Sequence, residues 1–194
     1  ISDKLIDVIH KNPKVCEYVH FPIQSGSNEL LKKMNRKYTV EDYYLIVDKL
    51  RKRMPRVGLS TDIIIGFPGE TEADVDQTIE LLKKVHFDSA FTFIYSKREG
   101  TPAANFENHI DEKVKHVRFE RMLKILNEKV IQKNQSRMGE TFELLVEGYT
   151  KRDDQLLYGR SRENILVSFK GDESLIGKIV NVNVTRPKNF SVEG

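Results

Sequence analysis

Residues 24–27 place one amide, two hydroxyls and a glycine directly after a short apolar run that is typical of a β-strand. The amide belongs to Gln24 and the first hydroxyl to Ser25. In α/β folds, the loops that follow the strands carry the polar groups that hold ligands. Turns rich in Ser and Gly also occur as ordinary structural turns. The segment therefore indicates either a ligand site or a local bend in the chain.

A second polar segment runs from Asp62 through three isoleucines to Gly66 and Glu70. A glycine-rich turn that opens a helix exposes backbone N–H groups to which a ligand can bind. The segment is not a phosphate-binding loop of the Walker type, because no Gly-Lys-Ser/Thr sequence follows. The alternative is a structural turn in which Thr71 caps the next helix. Spacing alone does not separate these two interpretations.

The third segment, residues 96–102, contains Arg98 in a loop rich in turn residues. A guanidinium group there can bind a carboxylate or a phosphate through two parallel hydrogen bonds. An exposed loop charge is the alternative. His20 lies in a predicted strand, where a hydrogen-bonded core histidine is the commoner arrangement. No Ser/His/Asp arrangement and no pair of spaced carboxylates argues for hydrolysis, so no catalytic residue is predicted.

The elements that must position these segments form three strand–loop–helix units. Such repeated units indicate an α/β sheet or barrel with right-handed crossovers. The continuous isoleucines at 63–65 predict a strand covered on both faces. Strands are expected at residues 18–23, 57–65 and 89–95, and helices at residues 28–34, 39–54, 71–86 and 111–137.

The pattern changes after Gly139, where short β-rich runs alternate with Gly, Asp and Asn. Runs of this kind are typical of a small antiparallel barrel or sandwich. We therefore predict two domains, residues 1–138 and residues 139–194. The β-rich runs of the second domain are residues 141–146, 155–158, 165–169 and 179–184.

Composition limits the chemistry of the 194-residue chain. Its only cysteine, Cys16, excludes an internal disulfide and a cysteine-based metal cluster built from this chain alone, and no metal ligand is predicted. No apolar run approaches the ~20 residues that a membrane span requires, so we expect no membrane contact and a cytoplasmic location. Lys and Arg gather within residues 32–56 and 113–137, which indicates either a binding surface for a polyanion or solvated helix faces.

Residues 18–27, 31–39, 62–70 and 95–104 together resemble the radical S-adenosylmethionine (radical SAM) methylthiotransferase family, and residues 139–178 resemble its TRAM domain. The resemblance implies the C-terminal half of a partial (β/α) radical SAM barrel followed by a small antiparallel β-barrel. Residues 24–27 and 87–93 are most similar to the MiaB-type branch, which adds a methylthio group to C2 of isopentenyl-adenosine beside the tRNA anticodon. Relatives that act on threonylcarbamoyl-adenosine in tRNA or on a ribosomal protein remain alternatives, as does a non-catalytic RNA-binding module.

The resemblance also implies which residues bind the cofactor. It places five residues at S-adenosylmethionine, namely Gln24, Ser25, Asp62, Gly66 and Glu70, and it places Arg98 beside the substrate or a second cluster. The family carries two 4Fe–4S clusters on cysteines of its first half. Because those cysteines are absent here, we expect this chain to be inactive alone.

The resemblance implies partners as well. We expect the anticodon loop of tRNA and the missing N-terminal half of the family's proteins to contact this chain. The chain begins with Ile1 rather than Met, and residues 1–12 are typical of the end of an amphipathic helix, which predicts a fragment. Half of a barrel leaves an exposed sheet edge, so dimerisation through that edge is expected.

Overall fold

The structure is a computed structural model that describes residues 1–151 and 153–194. Its helices confirm the predicted ones to within a few residues. They are α1 (Asp3–Lys11), α2 (Asn28–Lys33), α3 (Val40–Arg53), α4 (Glu72–Val85) and α5 (Glu112–Gln135). The strands are β1 (Tyr18–His20), β2 (Gly58–Ile65), β3 (Ser89–Ile94), β4 (Thr141–Thr150), β5 (Asp153–Ser161), β6 (Leu166–Lys170), β7 (Ile179–Asn183), β8 (Arg186–Pro187) and β9 (Val192–Glu193).

The first three strands form a sheet in the order β1-β2-β3. Strands β2 and β3 are parallel, with Ser60 opposite Ser89 and Ile65 opposite Ile94. The expectation that the isoleucine run is covered on both faces is only half right. Ile63 and Ile65 are fully buried, whereas Ile64 on the opposite face is partly exposed. The face that carries Ile64 is therefore open to a ligand.

Local capping explains where the helices begin. Thr71 and Asp74 form a reciprocal capping box at the start of α4. Thr39 and Asp42 make the same pair of bonds before α3, at 3.0 and 3.2 Å. Helix α1 begins at Asp3 with Ser2 as its N-cap, so the expectation that residues 1–12 form only the end of a helix is wrong.

The buried side of α5 is not uniformly apolar. The sequence predicts an apolar stripe of Phe119, Met122, Leu123, Leu126 and Val130. Met122, Leu126 and Val130 are buried, whereas Phe119 and Leu123 are partly exposed. The same side continues to Lys115 and Arg118 toward the N-terminus, and both are buried. The basic cluster at 113–137 is therefore neither wholly a solvated face nor wholly a surface for a polyanion.

The C-terminal strands form a curled six-stranded sheet in the order β7-β4-β5-β6-β9-β8. All described pairings are antiparallel except β6 with β9, which run parallel. Alternate residues of β4 point inward, so Phe142, Leu144 and Val146 are buried while Glu143 and Leu145 are exposed. The core also contains Leu157, Ile165, Val167, Phe169, Val182, Val184 and Val192. The sheet confirms the predicted small β-domain.

The chain separates into two compact units, each with its own buried core. One contains residues 1–19, 49–59 and 130–194, and the other contains residues 20–48 and 60–129. Residues 139–194 lie wholly within the first unit, while the predicted domain boundary at residue 138 stays a prediction. Among the described residues, no helix is long and apolar enough to cross a membrane.

Candidate functional site

A cleft of about 670 Å³ opens at the carboxyl-terminal ends of β1, β2 and β3, within the second unit. Ligand pockets commonly measure about 300–1,000 Å³. The loops after the three strands supply most of its walls. The lining residues are Gln24, Lys33, Met34, Asn35, Arg36, Asp62, Ile64, Phe67, Phe93, Ile94, Tyr95, Ser96, Arg98, Thr101, Pro102 and Ala103.

Gln24 is held at the cleft by its backbone. Its N–H donates to the carbonyl of Asp62 at 2.9 Å, and its own carbonyl accepts the N–H of Ile64 at 2.9 Å. Its φ of 73° is in the left-handed region. The residue is only 6% exposed, yet its side-chain amide has no hydrogen-bond partner among the described residues. The amide lines the cleft, so its donor and acceptor atoms are available to solvent or to a ligand.

Asp62 presents the one carboxylate among the residues that line the cleft. Its Oδ1 lies 3.5 Å from Nε2 of His20, and Nδ1 of the same ring lies 2.8 Å from Oγ of Ser60. His20 is therefore hydrogen-bonded but exposed, so the expectation of a core histidine is wrong. Asp62 keeps one face toward His20 and the other toward the cleft, where it can accept hydrogen bonds.

Ser25 does not line the cleft. Its buried hydroxyl accepts the N–H of Ser27 at 3.1 Å and lies 3.4 Å from the hydroxyl of Thr78 on α4. The neighbouring Gly26 is required there, because a Cβ would lie 2.5 Å from the backbone carbonyl oxygen of Gln77. The turn after β1 is thus packed against α4, and Ser25 supports the position of Gln24 from outside the cleft.

Gly66 and Glu70 also lie outside the cleft lining, and they bind one another. The N–H of Gly66 donates to Glu70 Oε2 at 2.9 Å, and Arg118 Nη1 donates to the Glu70 carbonyl at 2.8 Å. Glu70 is 4% exposed, and its burial raises the pKa of its carboxyl to about 7, against the effects of the Gly66 N–H and of Arg118. These two residues shape the turn that follows β2.

Lys115 is a site-shaping residue that sequence reasoning missed. Its Nζ donates to the carbonyl of Tyr95 at 3.2 Å and pairs with Glu112 at 2.7 Å. Its aliphatic stem lies under Gly66, where a Cβ would come within 2.5 Å of Lys115 Cγ. Its spacing of three from Arg118, on the buried side of α5, is the signal that could have identified it.

Arg98 lines the cleft, as the sequence predicts, and the structure brings it together with Gln24 and Asp62. Two further cations, Lys33 and Arg36, line the same cleft and were not predicted individually. Two signals had pointed to their segment, namely the basic cluster within residues 32–56 and the family resemblance of residues 31–39. With Asp62 as the one acidic group of the lining, the cleft has a net positive charge.

The composition of the cleft fits S-adenosylmethionine, which carries a base, a hydroxylated sugar and a charged amino-acid group. The apolar side chain of Ile64 offers a surface for the ring of the cofactor, while Gln24 and Asp62 offer polar partners. A 4Fe–4S cluster does not fit this chain. Cys16 is the single cysteine, and no group of three metal-ligating side chains occurs in the part of the chain that the structure describes.

Comparisons with protein families match both ends of the chain. Residues 1–82 match the radical SAM superfamily model, and residues 135–194 match the TRAM domain model. The chain also resembles coproporphyrinogen III oxidase (HemN) from Escherichia coli, a radical SAM enzyme, with a TM-score of 0.57 and 11% identity. That likeness covers 84% of this chain and 44% of the oxidase, and it confirms the fold.

Curated relatives match over the whole chain. The chain is 55% identical over 194 residues to the tRNA-2-methylthio-N(6)-dimethylallyladenosine synthase of Alkaliphilus oremlandii (strain OhILAs), and 54% identical to the synthase of the same name from Clostridium novyi (strain NT). It spans 41% and 43% of the lengths of these two relatives. The two family models and this identity agree along the sequence, and the chain belongs to the radical SAM methylthiotransferase family, of which it carries part of the radical SAM domain and the TRAM domain.

Proposed function

We propose that the chain is part of a longer protein, called the parent protein below, that adds a methylthio group to C2 of isopentenyl-adenosine next to the tRNA anticodon. The observation that carries this proposal is the identity of 50–55% over all 194 residues to synthases named for that product. Identity of this extent includes the cleft and both units. It favours this substrate over threonylcarbamoyl-adenosine and over a ribosomal protein.

The cleft is the site for S-adenosylmethionine in this proposal. The cofactor, when bound, supplies the radical that activates the substrate. Gln24 and Asp62 contact it directly, because both line the cleft with polar groups. Three further residues support the site without contacting the cofactor, because their hydrogen bonds hold the turns after β1 and β2. They are Ser25, Gly66 and Glu70. Arg98 contacts the substrate from the loop after β3.

The remaining cofactors and partners lie outside this chain. Two 4Fe–4S clusters bind to cysteines of the parent protein that this chain does not contain, so the chain alone is inactive. The TRAM domain supports tRNA binding, and the parent protein acts in the cytoplasm. Strands β1 and β3 are the outer strands of the three-stranded sheet. Pairing along one of them, with the missing half or with a second copy, stays a prediction.

Mass spectrometry of tRNA nucleosides from cells that lack the parent gene tests the function. We expect the methylthio group of isopentenyl-adenosine to disappear and the unmodified isopentenyl-adenosine to accumulate. Returning the parent gene restores the methylthio product, which excludes a secondary effect of the deletion. Persistence of that product together with loss of a different methylthio nucleoside would move the protein to another branch of the family. Unchanged nucleosides would refute the enzymatic function.

A further inference from the structure

Two arginines lie on opposite sides of the cleft. The strand order is β1-β2-β3, so loops that follow β1 and β3 flank the central strand. Arg36 belongs to the segment that follows β1 and α2, whereas Arg98 belongs to the loop that follows β3. Outer strands of a three-stranded sheet are separated by about 10 Å. Arg36 and Arg98 therefore reach the same cleft from different loops.

Arg36 is carried by a rigid turn. Its N–H donates to the carbonyl of Leu31 at 2.9 Å, and the preceding Asn35 has a left-handed φ of 56°. Two residues later, the hydroxyl of Tyr38 donates to the carbonyl of Pro22 at 3.1 Å. These bonds tie the turn to the end of β1. The backbone of Arg36 is thus fixed at the edge of the cleft, while its side chain stays exposed.

Arg98 is anchored in a comparable way. Its carbonyl accepts the hydroxyl of Thr101 at 2.8 Å, which closes the turn after β3.

Neither Arg98 nor Arg36 has a carboxylate within ion-pair distance in residues 1–151 and 153–194. The arginines of α5 differ, because Arg118 pairs with Glu70 and Glu72, and Arg121 pairs with Glu72 and Asp76. The positive charges of Arg36 and Arg98 are therefore available to an anion from outside the chain.

An exposed aromatic side chain lines the same cleft. Phe93 of β3 lines the cleft and is 51% exposed, which is unusual for a phenylalanine in a sheet. Ile64 of β2 continues this apolar surface. Proteins that bind unpaired RNA combine cations for the backbone with aromatic rings on which bases stack. The pattern of cation, aromatic ring and cation matches that chemistry.

We propose that Arg36 and Arg98 bind phosphate groups of the RNA backbone on either side of a nucleotide whose base enters the cleft against Phe93. This inference rests on the proposed function and adds two phosphate-binding residues outside the TRAM domain. An arginine can bind two oxygens of one phosphate through parallel hydrogen bonds. Enzymes that act on a base also draw it out of its stack, so holding the backbone at two points positions the base. The competing anion is the carboxylate of S-adenosylmethionine.

Fluorescence anisotropy with the cluster-loaded parent protein tests the proposal. The probe is a labelled tRNA that carries isopentenyl-adenosine, titrated at several salt concentrations without S-adenosylmethionine. Arg36→Gln and Arg98→Gln should each weaken tRNA binding by about tenfold. Each should also reduce the slope of log affinity against log salt by about 0.7, which is the value for one phosphate contact in a single strand. The matched control is Lys83→Gln, an exposed charge of α4 outside the cleft lining and outside both basic clusters, which should change affinity less than about twofold.

A separate titration of S-adenosylmethionine distinguishes the two anions. Unchanged affinity for the cofactor in both arginine variants, together with the weaker tRNA binding, supports the proposal. Unchanged tRNA affinity or salt slope in either variant overturns it, as does an equal effect of Lys83→Gln. If the variants weaken cofactor binding and leave tRNA binding intact, the arginines bind the carboxylate and the proposal is wrong. If the unsubstituted protein fails to bind tRNA, the proposed function fails as well, so the two failures are distinguishable.

Discussion

The polar side chains at and around the cleft differ in whether they are hydrogen-bonded within the protein. The buried hydroxyl of Ser25 is engaged within the protein, and so is the carboxyl of Glu70. The amide of Gln24 lines the cleft and has no partner within the described part of the chain. A hydrogen bond from this amide to a ligand contributes about 0.5–1.5 kcal/mol. Gln24 is therefore the residue at which cofactor binding is most sensitive to substitution.

Replacing Gln24 by Ala in the parent protein should weaken the binding of S-adenosylmethionine by about tenfold, because one buried hydrogen bond is lost. Asp62→Asn should act in the same direction, since it removes the one acidic group of the cleft lining. Equilibrium dialysis with the cluster-loaded protein measures both. Gln77→Ala is the matched control, because Gln77 is exposed on α4 away from the cleft lining. Equal affinities for all three variants would remove Gln24 and Asp62 from the cofactor site.

Gly66 cannot be replaced without strain and a clash. Its φ is +82°, and a Cβ would lie 2.5 Å from Lys115 Cγ. We expect Gly66→Ala to lower the free energy of unfolding of the chain by roughly 2 kcal/mol or more. Gly100→Ala is a close control, because Gly100 has a φ of +80° and nothing within 4 Å of the added Cβ. Urea unfolding of both variants isolates the clash as the difference, and equal losses of stability would show that no clash exists.

The carboxyl of Glu70 links stability to pH. Its pKa is about 7 in the folded chain, above the ordinary value of 4.5 that applies to an unfolded chain. The folded state therefore binds more protons between these values, and the stability from this group is present below pH 4.5 and is lost as the pH rises to about 7. Urea unfolding at pH 5, 6 and 7 should show this decline, on the order of 2–3 kcal/mol. Glu70→Gln should flatten it, and an unchanged pH profile in that variant would contradict the assignment.

Helix α5 shows the limit of predicting burial from the spacing of apolar residues along a helix. Its apolar stripe of Met122, Leu126 and Val130 predicts a buried side correctly. The same spacing of three and four also places Lys115 and Arg118 on that side, although charged residues are ordinarily assigned to solvent. Their partners, the Tyr95 carbonyl and the Glu70 carboxyl, are 20 and 48 residues away in sequence. A pattern within one helix contains no information about such distant partners.

Arg118→Ala tests the role of α5 as the support of the turn after β2. It leaves the Glu70 carbonyl without its donor at 2.8 Å and removes the guanidinium beside the buried carboxyl, and leaving a buried hydrogen-bonding group without a partner costs about 1–3 kcal/mol. Arg121→Ala is the control, because that arginine is 42% exposed and its pairs with Glu72 and Asp76 are worth about 0–1 kcal/mol. Thermal unfolding of the two variants should therefore differ strongly. Similar losses would show that Arg118 contributes no more than a surface charge.

For the molecule as a whole, the order of helices and strands could be predicted from the sequence. The direction in which individual side chains point could not. Three strand–loop–helix units with capping signals predicted the parallel sheet, and the rule that loops after parallel strands meet at one edge correctly gathered Gln24, Asp62 and Arg98. Ser25 follows Gln24 directly, yet its side chain turns toward α4. The left-handed φ of Gln24 causes this change, and no residue type in the segment specifies it.

The chain as a whole also lacks what a radical SAM enzyme needs to hold its metal. A 4Fe–4S cluster takes cysteine thiolates as its ligands, and Cys16 alone cannot supply a set of them. The isolated chain, mixed with iron and sulfide without oxygen, should therefore acquire no stoichiometric iron and none of the visible absorption of a cluster. Cys16→Ser should behave identically, because Cys16 has no ligating role. Iron bound in a fixed ratio to the chain and lost in Cys16→Ser would show that this thiol takes part in a cluster after all.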